Sequence, residues 1–269
     1  MFKKTFPAVI ILPLLLVVAL KTSAQVDISA NEHSTVASTS KVFIIPKMNI
    51  IKTNLTGIIF KNYSLQYERI LNRKFSVAVQ LRIMPPAKMP FQKLILKQVG
   101  DDPDTKKIIE DFRLSNYAIT PEARFYVGKK GYGHGFYIAP FYRYASFTSN
   151  NLNIFYTDQN GNESSIQLSG KLSSNTGGLL FGVQSFPAKR IVMDIWLLGP
   201  HFGSGTGNFS GTLSKPLTAE EQNDVKQQLE DIDIPLTNKT VSVNANSVSL
   251  KLDGPWGGLR CGISLGFKF

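Results

Sequence analysis

Cysteine is almost missing from this chain. Cys261 stands alone among 269 residues, which excludes an intrachain disulfide framework and a thiolate-built zinc site. Long hydrophobic runs are missing too, apart from one near the N-terminus, so no later segment reads as a transmembrane helix. Histidine is sparse, with three residues, and acids are few: 19 Asp and Glu against 30 Lys and Arg leave a formal net charge of +11. That excess is neither clustered on a helix nor interleaved with aromatics, so nucleic acid is not expected as a partner. An acidic membrane surface, such as lipopolysaccharide phosphates, suits a dispersed positive charge better. No metal-ligand spacing is present. The G-S-G-T-G stretch at 203–207 lacks the strand-then-helix setting of a phosphate-cradling loop. Neither a metal nor a cofactor is expected.

What is present begins with an export signal. Lys3 and Lys4 precede an apolar run from Ala8 to Leu20, followed by Thr22-Ser23-Ala24. This is the layout of a secretory signal peptide over 1–24, cleaved after Ala24. The run is too short to cross about 30 Å of hydrocarbon as a helix. Removing its three lysines lowers the net charge to about +8 (11 − 3). Residues 25–41 are polar and aperiodic, a flexible linker. Residues 42–269 then read as one domain.

That domain alternates. Phe75, Val77, Val79, Leu81 and Ile83 are separated by Ser76, Ala78, Gln80 and Arg82, the period of a strand with one apolar and one polar face. Tyr63, Leu65 and Tyr67 alternate with Ser64, Gln66 and Glu68 in the strand before it. Further strands are expected at about 114–127, 135–147, 175–186 and 190–202. A weaker first strand runs over 42–53, with Lys47 and Asn49 on its polar face. The last strand is the most regular. Leu259, Cys261, Ile263, Leu265, Phe267 and Phe269 alternate with Arg260, Gly262, Ser264, Gly266 and Lys268.

Short connections at 71–74, 128–134 and 187–189 alternate with long ones at about 85–113, 148–174 and 203–255. Two of the long loops hold helix signals. One is at 103–112. In the other, Thr218-Ala219-Glu220-Glu221 is a capping box opening a helix to about Asp231.

About eight strands of 11 to 13 residues match the tilted length that crosses a bilayer, and brief turns on one rim with long loops on the other are the outer-membrane pattern. The expected fold is all-β: a closed antiparallel transmembrane β-barrel of about eight strands, with long extracellular loops and a short loop helix. Eight strands leave an interior that side chains can fill.

The terminal G-I-S-L-G-F-K-F resembles the last-strand signature of bacterial outer-membrane proteins. By that resemblance Ile263, Leu265, Phe267 and Phe269 are the residues read by the barrel-assembly machinery. The segments at 62–77 and 135–144 resemble uncharacterised outer-membrane barrel families common in Bacteroidetes, and the architecture is similar to the small OmpA/OmpX class. The resemblance implies residence in the cell outer membrane but no chemistry.

Lys47, Glu68, Glu122, Arg124 and Asp194 are expected to form an ion-pair cluster inside the lower barrel. Arg82, Arg143 and Arg260 are expected to form a basic group inside the upper part, with few acidic partners. The favoured function is a non-enzymatic barrel whose loops serve surface recognition, adhesion or envelope integrity, toward an extracellular partner the sequence does not identify. A narrow channel for small solutes or anions is one alternative. A lipid-modifying hydrolase or acyltransferase is another; it would need a Ser–His–acid set, for which only His201 with Ser204 offers a start. A lipocalin-like periplasmic barrel is a third.

Overall fold

The computed structural model describes residues 48–88, 109–157, 163–213, 215–231 and 236–269, with the single positions Gln92, Leu96 and Lys106. The expected signal peptide, the linker, the start of the first strand and Lys47 lie outside the described residues.

The fold is mostly antiparallel sheet, in nine strands: β1 (Asn49–Asn54), β2 (Tyr63–Ile70), β3 (Phe75–Lys88), β4 (Arg113–Tyr126), β5 (Gly135–Thr157), β6 (Glu163–Ser185), β7 (Ile191–Thr212), β8 (Asn238–Val243) and β9 (Ser247–Lys268). Each of the first seven pairs with the next, β7 pairs with β9, and β9 pairs back onto β1. Eight strands therefore form a hydrogen-bonded ring, closed by Ile50 against Lys268 through Asn54 against Ser264. The backbones of Asn49 and Phe269 bond reciprocally at 3.2 and 2.9 Å beside that seam. Closure leaves these strands no free edge at the seam, which an open sheet would have to protect. We call the rim bearing Phe269 and the short turns at 71–74, 128–134 and 186–190 the lower rim.

The ring is far from level. β5, β6, β7 and β9 run 22 to 23 residues, whereas β1 and β2 have 6 and 8 and are joined by a one-turn helix, α1 (Leu55–Ile59). The four long strands continue upward as a lobe, where β8 adds to the outer side of β9. A second helix, α2 (Ala219–Glu230), covers the lobe. The Thr218 backbone N–H donates to Glu221 Oε2 at 2.8 Å while the Glu221 N–H donates back to Thr218 Oγ1, so the expected capping box is formed. Val225 and Leu229 of α2 pack on Ile166, Leu168, Val248, Leu250 and Leu252. The expected loops at 148–174 and 203–255 are thus corrected to long strands, a helix and a hairpin. Of the expected helix at 103–112, Lys106 and Ile109–Asp111 are helical and Phe112 is not, and the remaining residues lie outside the described ones. No helix among the described residues is long and apolar enough to cross a membrane.

Side-chain direction follows the pleat with few breaks. On β6, even positions from Ile166 to Gln184 point inward, and on β9 those from Val248 to Lys268 do the same. Along these single strands the polarity inverts. In the lobe the inward residues are aliphatic (Ile166, Leu168, Val248, Leu250, Leu252) and the outward ones polar (Gln167, Ser169, Ser249, Lys251, Asp253). In the ring the inward residues are mostly polar (Thr176, Gln184, Arg260, Ser264), with Leu180 the aliphatic exception, while Leu179, Leu259, Ile263, Leu265 and Phe267 are exposed outside. The same apolar exterior continues around the ring through Leu65, Val79, Leu81, Ile119 and Met193. The changeover lies near Phe202, which pairs with Gly177 and Gly257 and is 68 % exposed on the outside.

Candidate functional site in the interior of the ring

Arg124 is the hub of the lower interior. It sits on β4 between Glu122 and Tyr126, inward positions all, and is fully buried. Its Nε donates to Glu122 Oε1 at 2.7 Å, and Nη2 donates to the same oxygen. Nη1 donates to Asp194 Oδ2 at 2.7 Å and reaches Glu68 at 3.2 Å. Lys52 of β1 donates to Glu68 Oε2 at 2.6 Å, to Gln184 Oε1 at 2.7 Å and to Asp194 Oδ2 at 2.7 Å. Ser76 and Tyr126 donate to Glu68 Oε1 at 2.6 and 2.7 Å, and Tyr137 donates to Asp194 Oδ1 at 2.8 Å. Each carboxylate oxygen of Glu68 and Asp194 is thereby occupied, which is the condition for holding charge away from water. The guanidinium of Arg124 also lies over the Tyr137 ring at 4.5 Å. Tyr137 in turn fits because Gly182 faces it across β6. A Cβ there would run into the phenol ring.

The structure brings Glu68, Glu122, Arg124 and Asp194 together. The lysine among them is Lys52, which the sequence reading missed. Asn49, expected on the inward face of β1, instead accepts hydrogen bonds outside from Tyr67 Oη (2.8 Å) and Arg69 (2.7 Å). Ile50, Lys52 and Asn54 form the inward row.

Arg260 also departs from expectation. It does not lack an acid, since its Nη1 reaches Glu122 Oε2 at 3.2 Å and its Nη2 donates to Gln80 Oε1 at 3.1 Å. Its guanidinium is sandwiched between Phe141 and Trp196, at 4.5 and 4.8 Å from the ring centres. Lys52, Arg124 and Arg260 thus balance Glu68, Glu122 and Asp194.

One tier higher, Arg82 and Arg143 face no carboxylate among the described residues. Arg82 Nη2 donates to Asn116 Oδ1 at 2.7 Å, and Arg143 Nη1 donates to Thr120 Oγ1 at 3.3 Å. Among the described residues, the buried Nε of Arg82 has no hydrogen-bond partner, and neither has the buried Nδ1 of His201. His201 is inside because of a β-bulge. Between Trp196 and Gly199 the pairing with β9 slips, so Leu197 and Leu198 both face outward, 53 % and 48 % exposed. The bulge re-aims the positions after it. His201 then packs edge-on against Phe141 at 6.0 Å, facing Gly258, where a Cβ would stand 2.8 Å from Nε2. Ser204 faces outward and is exposed, so it and His201 lie on opposite sides of the sheet. No group of three or more His, Cys, Asp or Glu among the described residues could hold a metal ion.

Ile263, Leu265, Phe267 and Phe269 stand in one outward row, 40–47 % exposed, and Cys261 is exposed in the same row.

Compared with known proteins, the chain matches no family model and no curated sequence.

Proposed function

We propose that this protein is an exported outer-membrane β-barrel, and that its eight-strand wall is a non-enzymatic anchor for a folded extracellular lobe. The observation that carries this reading is the polarity inversion along β6 and β9. Water on both levels would favour polar residues outside throughout. An apolar exterior around an ionic interior suits acyl chains. The reverse arrangement above Phe202 suits water. About 9 to 11 tilted residues cross a bilayer, so strands of 22 to 23 residues leave roughly half their length for the lobe. A closed ring is also the arrangement in which strands satisfy every backbone group in lipid.

The N-terminal signal sequence supports export. The alternating C-terminal row ending in Phe269 supports delivery by the barrel-assembly machinery and kinship with the outer-membrane families it resembles. The buried network of Lys52, Glu68, Arg124 and Asp194 fills the lower interior and argues against the channel reading. The lobe, with its polar outer face, is the part placed to meet an extracellular partner, for recognition, adhesion or envelope integrity.

Fractionation of cells expressing the full chain tests the reading. The protein should sediment with outer membranes, resist carbonate extraction and migrate faster on gels before heating than after. Protease added to intact cells should cut between residues 203 and 255 while sparing the ring. Recovery in the aqueous periplasmic fraction would defeat the proposal.

A further inference from the structure

We infer that Arg82, Arg143 and His201 form a binding site for a phosphate-class oxyanion in the upper interior of the ring. The first support is charge. Below this tier Lys52, Arg124 and Arg260 each have a carboxylate, and Glu122 is already shared by Arg124 and Arg260. Among the described residues Arg82 and Arg143 have only neutral oxygens, those of Asn116 and Thr120. Two guanidiniums held inside a low-dielectric wall without a counter-charge are costly, and a bound anion removes that cost.

The second support is geometry. Arg82 on β3 lies opposite Ala118 on β4, and Ala118 lies opposite Ala145 on β5, two residues from Arg143 along the same inward row. Arg143 pairs with Thr176 on β6, and Gly178, next in that row, pairs with His201 on β7. The groups therefore share one tier. Arg143 is 6 % exposed, with one hydrogen bond for a side chain that carries five donors. The unpartnered, buried Arg82 Nε and His201 Nδ1 are the atoms an oxyanion would engage. A guanidinium fork suits phosphate oxygens in particular.

The anion has two sources. One is free phosphate from the aqueous phase. A phosphorylated lipid headgroup can come from the flank, because the wall is lowest at α1. The β1–β9 ladder stops at Asn54–Ser264 and the β2–β3 ladder at Tyr63–Ile83. Above them, among the described residues, no strand joins β3 to β9. On α1, Leu55, Ile58 and Ile59 are 42 %, 43 % and 77 % exposed, an apolar sill.

The test uses the full chain, folded in detergent micelles for titration with inorganic phosphate against chloride at equal ionic strength. In parallel it is placed in phosphatidylcholine nanodiscs with or without phosphatidic acid. Phosphate, phosphatidic acid or both should raise the melting temperature of the wild type. Response to phosphate alone assigns a free anion, and response in both arms or to phosphatidic acid alone assigns a headgroup. Arg82→Gln with Arg143→Gln should weaken binding by about tenfold for each charge-assisted bond lost. Without anion this variant should melt no lower than wild type, because an unbalanced charge pair has gone. Equal response of wild type and double variant, or no response in either arm, overturns the site. So does a double variant that is destabilised without anion, since that marks a purely structural role. A readout on wild type alone guards against a variant that fails to fold. Phosphate or phosphatidic acid should slow phenylglyoxal modification of Arg82 and Arg143, and unchanged modification would refute the proposal. The phosphate arm needs no membrane, so its result stands apart from the question of where the barrel resides.

Discussion

Lys52 and Arg124 donate to the same oxygen of Asp194, each at 2.7 Å, from two different strands of the ring. Asp194 thereby ties β1, β4 and β7 together. Asp194→Ala would leave both cations with less acceptor capacity at a fully buried site. Breaking a buried pair in this way costs about 3–5 kcal/mol. Denaturant unfolding in micelles should show a matching fall in midpoint. Lys226→Ala, which removes the exposed Lys226–Glu230 pair at 3.9 Å, should change stability by less than about 0.5 kcal/mol. Similar losses for the two variants would mean that the interior network is solvated.

Val79 and Ser249 both face outward, one in the ring and one in the lobe. Their response to the same substitution separates the two environments. Val79→Arg should cost about 2–4 kcal/mol in lipid bilayers, the range for arginine on a lipid-facing strand near the midplane. Ser249→Arg should be nearly neutral. Refolding into liposomes of graded urea content measures both. An equal, small effect would place water on both levels.

The alternation of β2, β3 and the lower half of β9 was legible in the sequence because Tyr63 to Tyr67, Phe75 to Ile83 and Leu259 to Phe269 each put apolar residues at every second position. β1 was not. Ile50 and Ile51 put an aliphatic residue on each face, so the period assigns neither, and Lys52 was missed while Asn49 was placed inside. The bulge at Leu197–Leu198 likewise cannot be seen in composition. Extending the pattern of Ile191, Met193 and Ile195 sends Phe202 inward and His201 outward, the reverse of what the pairing imposes. The upper halves of β6 and β7 read as loops because their outward residues are polar, among them Ser165, Gln167, Lys171, Thr206 and Asn208, while inward positions on β7 include Gly207 and Gly211. Their strand state comes from pairing and from the cover provided by α2, a tertiary effect that local propensity does not carry. The α2 cap was legible because Thr218 and Glu221 are a local pair.

That cap gives a graded prediction within the lobe. Thr218→Ala should lose about 1 kcal/mol of local stability. Leu229→Ala, emptying a 1 % exposed position in the aliphatic core, should lose about 2–5 kcal/mol. Limited proteolysis of folded protein should cut near α2 faster in that order, with the gel shift of the unheated ring unchanged. Loss of the gel shift in either variant would show that lobe and ring unfold as one unit.

Phe267 and Phe269 offer a way to separate recognition from packing. Both side chains point away from the interior, 40 % and 47 % exposed, and the backbone bonds that Phe269 exchanges with Asn49 do not depend on its ring. Phe269→Ser should therefore leave refolding into detergent micelles nearly intact. In cells, the same change should lower the amount inserted in the outer membrane several-fold if the terminal row is what the assembly machinery reads. Membrane-fraction yield, compared with micelle refolding yield for the same variant, measures the difference. A variant that refolds poorly in micelles would instead assign Phe269 a role in closing the β1–β9 seam, and normal insertion in cells would remove the recognition role.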